Sequence, residues 1–294
     1  MRILVIGGTR FVGRHIAQTA LDRGHDVTLF NRGRSDPQAL PAATHLAGDR
    51  NSDLSALADG EWDATIDVSA YVARQVRSLL DALGGRAGHT TFISTISVFD
   101  VGRLPRRGFT EEAPLLEPSW AQDYDAAKYG ELKVACELAV AEAATTPLII
   151  RPGFVIGPGD NTERFTHWVR EVAAGKAFDA PDPDQPLQGI DARDLAAFTV
   201  AAVEHATTGT FDLTAPAQPP TFSQVFDTIA AALDVGLPEI TWSKASAALP
   251  LSLPREAWPM MHADVSKAVD AGLTWRPLAQ TVRDLADHIG LRTA

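Results

Sequence analysis

Apolar residues follow two rhythms along this chain, and the alternation between them sets the fold. Residues 2–6 (RILVI) form a continuous apolar run that stops at Gly7 and Gly8, which reads as a buried strand. Residues 11–23 repeat apolar positions at helical spacing up to Gly24, and 26–30 (DVTLF) read as the next strand, closing a first βαβ unit. Further strands are predicted at 63–68, 90–95 and 147–151, alternating with helices near 71–83 and 121–144. Such alternation predicts an α/β chain whose doubly wound parallel sheet is covered by helices on both faces.

After Arg151 the texture changes. Pro and Gly cluster at 152–159, Pro recurs from Pro181 to Pro220, and helical patterns at 162–175, 192–205, 222–233 and 279–290 are separated by short strands. The expected organisation is a sheet domain over 1–155, to which the chain returns near 188–205, and a smaller C-terminal α/β lobe over 156–294 that faces the substrate.

Composition narrows the function. The chain has 294 residues, 45% hydrophobic and 21% charged, which describes a soluble globular protein and excludes disorder and fibrous architecture. Its 26 basic and 37 acidic residues leave a net charge of −11, which argues against nucleic acid or an anionic membrane as partner. The single cysteine, Cys136, cannot form an internal disulfide or a Cys-based zinc site, and reads as a small core hydrophobe in a reducing cytoplasm. The eight histidines show no HxxxH or HExxH spacing, so no metal is expected. The apolar run Ile3–Ile6 is too short for a signal-peptide core or a membrane span.

Two motifs carry candidate chemistry. The turn Gly7-Gly8-Thr9-Arg10-Phe11-Val12-Gly13 follows a predicted strand and opens a predicted helix. In that setting glycines let backbone N–H groups approach a pyrophosphate at the positive end of the helix. At the end of the second strand the sequence reads Phe30-Asn31-Arg32-Gly33-Arg34, with no carboxylate for a ribose 2′-hydroxyl. Arg32 and Arg34, with Arg10, suit the 2′-phosphate of NADP, with NAD the alternative. The second motif is Tyr129 and Lys133, four apart on one predicted helical face, where an ammonium beside a phenol favours the phenolate. Tyr124 and Lys128 have the same spacing; on one helix the two pairs would lie about 140° apart and could not serve one site together.

Taken together, the glycine turn, the YGxxKxxxE stretch, the strand end Ser94-Thr95-Ile96-Ser97, the Arg151-Pro152-Gly153-Phe154-Val155 segment and Asp191-Ala192-Arg193-Asp194 resemble the extended short-chain dehydrogenase/reductases. More narrowly the chain resembles the NAD-dependent epimerase/dehydratase family with an atypical GGTRF turn, whose members include chloroplast stem-loop-binding proteins. The resemblance covers nearly the whole chain and implies a Rossmann fold. It makes Tyr129 the acid/base, Lys133 the residue that lowers its pKa and holds the nicotinamide ribose, and Thr95 the hydroxyl on the substrate oxygen. It chooses Tyr129 over Tyr124, because only there do the following Gly and the Glu four after the Lys match.

The resemblance also implies a cofactor set of Gly7, Thr9, Arg10, Phe11, Gly13, Asn31, Arg32, Arg34, Asp49, Ser69, Pro152 and Val155, with Asp49 at the adenine and Pro152 to Val155 beside the nicotinamide amide. A homodimer through the Tyr129 helix is implied as well, in keeping with a pattern apolar on more than one face. Three departures from the family stand out: Arg10 for the middle glycine, Thr95 for serine, and the pair Phe99-Asp100 where sugar-nucleotide epimerases often have Tyr-Gly.

The leading expectation is an NAD(P)-dependent oxidoreductase acting at a hydroxyl or carbonyl carbon of a small molecule. One alternative is a sugar-nucleotide epimerase or dehydratase that oxidises its substrate transiently. The other is a non-catalytic NADP-binding sensor or RNA-associated protein. Arg164, His167, Trp168, Trp258, Met260, Met261 and His262 are candidates for the substrate cleft. Asp191, Arg193 and Asp194 read equally as a surface charge cluster or as supports of the loop bordering the site.

Overall fold

The computed structural model describes residues 1–33, 39–243 and 249–291. In chain order it runs through β1 (Arg2–Ile6), α1 (Phe11–Asp22), β2 (Asp26–Asn31), β3 (Thr44–Ala47), β4 (Ala64–Asp67), α2 (Ala73–Leu83), β5 (His89–Ile93), α3 (Tyr129–Ala143) and β6 (Leu148–Pro152). Then come β7 (Phe154–Ile156), α4 (Arg164–Ala174), β8 (Phe178–Ala180), β9 (Gly189–Asp191), α5 (Ala192–Glu204), β10 (Gly209–Leu213), α6 (Phe222–Leu233), β11 (Ile240–Trp242), α7 (Ser266–Asp270) and α8 (Leu278–His288).

Seven strands form one parallel sheet in the order β10-β6-β5-β4-β1-β2-β3. This is the doubly wound Rossmann arrangement, with the reversal of strand order between β1 and β4. The period of two explains how β1 serves both faces. Ile3 and Val5 join Ile16, Ala17 and Ala20 of α1 and Leu195, Ala196 and Val200 of α5. Leu4 and Ile6 point the other way, toward Phe30, Leu79 and Leu83. Every one of these strand residues is at most 1% exposed. The run is therefore apolar throughout, as strands buried on both faces are.

Two strand expectations change. The chain returns to the sheet as β10, an edge strand whose residues Gly209–Leu213 carry Thr and Asp and lack a clear run. The other missed strand, β3, is short and mostly exposed on the opposite edge, so burial never imposed a pattern on it. A separate core gathers Phe165, Trp168 and Val172 of α4, Phe222, Phe226 and Ile229 of α6, and Val282 and Leu285 of α8. Trp168 is fully buried there, and truncating such a residue to alanine typically costs about 3–5 kcal/mol.

Helix α3 starts at Tyr129, not near residue 121. Asp125 accepts from the Ala127 N–H and caps a single 3₁₀ turn, Ala126–Lys128, which precedes it. The apolar faces of α3 are largely occupied within the chain. Ala135, Cys136, Ala139 and Val140 pack with Val76 of α2 and Phe92, and Val134 packs with Phe99 and Met261. Leu138 is the exposed large apolar residue of the helix. Among the described residues no helix is long and apolar enough to cross a membrane.

Candidate active site

Two cavities meet at the carboxyl edge of the sheet, where the strand order reverses. The first, about 510 Å³, is lined by Gly7 to Gly13, by Asn31 and Arg32 at the end of β2, by Asp49 and Arg50, and by Ser69. The second, about 420 Å³, is lined by Ser94, Thr95, Tyr129, Lys133, Pro152 and Val155 among others. Phe11, Val12, Val68, Tyr71 and Asn161 border both, so the two make one cleft.

The turn between β1 and α1 needs its glycines. Gly7 and Gly8 have φ of +114° and +66°, and a Cβ on Gly8 would stand 2.6 Å from Leu29 Cδ2. A Cβ on Gly13 would stand 2.7 Å from the Gly8 nitrogen, so α1 sits as close to β1 as glycine allows. Arg10, at φ −133°, is extended, a conformation open to any residue. Its replacement of glycine therefore adds no backbone strain; that falls on Phe11, at φ +32°. Helix α1 begins with no capping side chain, which leaves the N–H groups of its first turn for an anion. Buried around the same cavity, Asn31 Nδ2 and Arg50 Nε find no partner among the described residues. A glycine cradle, an uncapped helix start and orphaned donors together fit a nicotinamide adenine dinucleotide.

Arg50 escaped the sequence reading. Its guanidinium donates to both oxygens of Asp67 at 2.7 Å, to Ser69 Oγ at 2.9 Å and to the Gln75 carbonyl at 3.2 Å. Burial acts to raise the Asp67 pKa, and Arg50 overrides it, holding the carboxyl below its ordinary value. Asp49, the residue before it, lines the cavity and accepts from the Asn51 N–H at 3.0 Å. Arg32 borders the cavity; Arg34 lies outside the described residues.

In the second cavity, Thr95 follows β5 by two residues and caps a short 3₁₀ turn: its Oγ1 accepts from the Ser97 N–H at 3.1 Å and donates to Ser97 Oγ at 3.2 Å. Tyr129 opens α3, and Lys133, one turn on, is buried. The Lys133 ammonium donates to the carbonyls of Ala70 at 2.9 Å and Ile93 at 2.8 Å, with the Phe92 ring centroid 4.1 Å away. Burial brings its pKa down to about 8.

The phenol of Tyr129 moves opposite to the expected direction. Burial, reinforced by Tyr71, pushes it up to about 12, against the smaller pull of the Thr95 hydrogen bond and the Arg164 charge. Lys133 spends its hydrogen bonds on two carbonyls, so desolvation wins. Tyr129 is therefore a neutral phenol near pH 7.

All three tyrosines of the chain meet here. The Tyr71 ring centroid lies 5.2 Å from that of Tyr124 and 6.4 Å from that of Tyr129. Tyr124 precedes α3 instead of lying on it, so the expected separation of Tyr124 and Tyr129 around one helix does not apply. Nothing periodic marked Tyr71, which sits in the loop before α2.

The family glutamate has a visible purpose. Glu137, four after Lys133, takes Arg151 Nε and Nη2 at 2.9 and 2.7 Å, tying α3 to β6, the strand that delivers Pro152 to the cavity. Of the substrate-cleft candidates, Arg164, Met260 and Met261 line the second cavity, with Phe154 and Leu253. Trp168 belongs to the core formed by α4, α6 and α8 and donates its indole N–H to the Pro250 carbonyl. His167, Trp258 and His262 lie outside both cavities. Asp191 and Asp194 are buried rather than part of a surface cluster: Asp191 takes Arg193 and Thr281, and Asp194 takes Arg276, joining α5 to the segment that ends in α8.

The sequence profile of the NAD dependent epimerase/dehydratase family matches residues 3–213. A chloroplast stem-loop binding protein of 41 kDa from Arabidopsis thaliana is 35% identical over 98 residues, 28% of this chain and 26% of that protein. A 2-alkyl-3-oxoalkanoate reductase from Stenotrophomonas maltophilia is 28% identical over 181 residues, 54% of this chain and 52% of that one. The matched stretches thus span about half or less of these relatives. Among solved structures, the Bordetella bronchiseptica enzyme WbmH in complex with NAD+ superposes with a TM-score of 0.77 at 17% identity, covering 100% of this chain and 99% of that one, which shows the shared fold.

Proposed function

The chain belongs to the NAD dependent epimerase/dehydratase family, and from that premise we propose that it is an NADP-dependent reductase of small carbonyl compounds. One observation carries the reading: the glycine cradle opens directly into a cavity where Thr95, Tyr129 and Lys133 converge. A nicotinamide dinucleotide supplies hydride to a carbonyl carbon when bound. Gly7, Gly8, Thr9 and the start of α1 would hold its pyrophosphate, with Arg32 and Arg10 at a 2′-phosphate.

The work of the chain is to position an oxygen and to move one proton. Thr95 orients the carbonyl oxygen by a hydrogen bond, and Tyr129 gives it the phenolic proton. A phenol held near 12 is protonated at working pH, which suits donation in reduction. Lys133 fixes the loops at Ala70 and Ile93 that carry the walls of the cavity. Leu138, exposed on α3, supports a homodimer through that helix, which sedimentation tests.

Turnover with NADPH and NADH across a panel of aliphatic ketones tests the reading. The expected result is carbonyl-dependent oxidation of NADPH with preference over NADH, the preference falling about tenfold in Arg32→Ala, a loss of about 1.4 kcal/mol. Interconversion of UDP-glucose and UDP-galactose without net cofactor consumption would instead establish the epimerase.

A further inference from the structure

The cations around the cleft are not equivalent. Arg50 is neutralised by Asp67, and Lys133 is enclosed by two carbonyls. Arg164, at the start of α4, is different. Its Nε donates to Thr162 Oγ1 at 3.1 Å and its guanidinium lies 5.4 Å from the Phe154 ring centroid, while its terminal nitrogens donate to no group among the described residues. The contact with the Phe154 ring leaves the terminal donors of the guanidinium open. Arg164 and Tyr129 line the same cavity.

No carboxylate lines the second cavity among the described residues. The walls beyond Arg164 are Leu253, Met260 and Phe154, a surface for an unbranched hydrocarbon, with a methionine whose flexible chain adapts to length. Among the described residues, this cavity of about 420 Å³, which must also admit the nicotinamide end, is lined by one cation with open donors, by an apolar wall, and by the hydroxyl and amide groups of Ser94, Ser97, Asn161 and Thr162. One cation with open donors matches a single carboxylate better than the charge of a nucleoside diphosphate.

We propose that the substrate is an aliphatic oxo acid whose carboxylate sits on Arg164, whose carbonyl oxygen meets Thr95 and Tyr129, and whose chain lies against Leu253, Met260 and Phe154. This rests on the reductase reading for the chemical step, but the anchor is independent of turnover. In that step the carbonyl carbon gains hydride from the reduced dinucleotide, the oxygen gains the Tyr129 proton, and the product is the hydroxy acid with the dinucleotide oxidised.

Calorimetric titration of the NADP+-saturated protein with decanoate and with decanamide separates the two layers. Decanoate should bind at least about tenfold more tightly than the amide, and Arg164→Met should reduce it to the level of the amide while Arg164→Lys restores part of the difference. Unchanged melting temperatures would show that both variants fold. Equal binding of acid and amide, no binding of decanoate, or full binding by Arg164→Met overturns the proposal. A protein that binds decanoate through Arg164 yet leaves 3-oxodecanoate unreduced by NADPH keeps the anchor and refutes the reductase. Reduction of neutral ketones with no preference for acids does the reverse.

Discussion

The cavity of about 510 Å³ takes its lining mainly from the loops that follow β1 to β4, whereas the cavity of about 420 Å³ draws on segments from Phe11 to Met261. The first is made largely of backbone and cations at strand ends, so its form is set by glycine geometry and helix placement. The second is made of side chains that only tertiary packing brings together, among which Arg164 keeps open donors beside Leu253, Met260 and Phe154. The glycine cradle therefore reads locally in the sequence, and the second cavity is a property of tertiary packing.

A steric change in the first cavity should break the whole site. In Gly8→Val the added Cβ meets Leu29 at 2.6 Å in a left-handed conformation, strain of about 1–3 kcal/mol before the side chain is accommodated. Dinucleotide affinity should fall by more than tenfold in fluorescence titration, and the melting temperature with it. An unchanged affinity would show that the turn does not hold the pyrophosphate.

Behind the second cavity, Asp212 on β10 sharpens the contrast. It is fully buried, both its oxygens lack hydrogen-bond partners among the described residues, and burial pushes its pKa up to about 8 despite Arg151 nearby. The folded value exceeds the unfolded one, so the folded state holds the extra proton between about pH 4 and 8, and stability falls as pH rises through that window. Asp212→Asn should thus gain stability progressively above pH 4, reaching about 2 kcal/mol or more at pH 8. A melting-temperature difference that does not grow between pH 4 and 8 would contradict this.

Much of this was legible in advance, for reasons that differ by residue. Strands buried on both faces, such as β1, announce themselves by unbroken apolar runs, and the glycine turn by its φ requirements. Tyr129, Lys133 and Glu137 share one helix, so their relation survives in spacing. Tyr71 and Arg50 did not show, because each acts from a loop through partners distant in sequence. The direction of the Tyr129 pKa does not follow from spacing for the same reason: spacing shows a lysine four residues on, but only packing shows that its ammonium is bound to carbonyls while burial surrounds the phenol.

The central claim is that Tyr129 delivers the proton while hydride reaches the carbonyl carbon. A single-turnover reaction of 3-oxodecanoate with NADPH deuterated at the transferring position of nicotinamide C4 measures both. The prediction is deuterium at C3 of the hydroxy acid and a rate about 10²–10⁴-fold lower in Tyr129→Phe at unchanged NADPH affinity. Label retained on the cofactor, or a Tyr129→Phe rate within a few-fold of the unsubstituted enzyme, would contradict it.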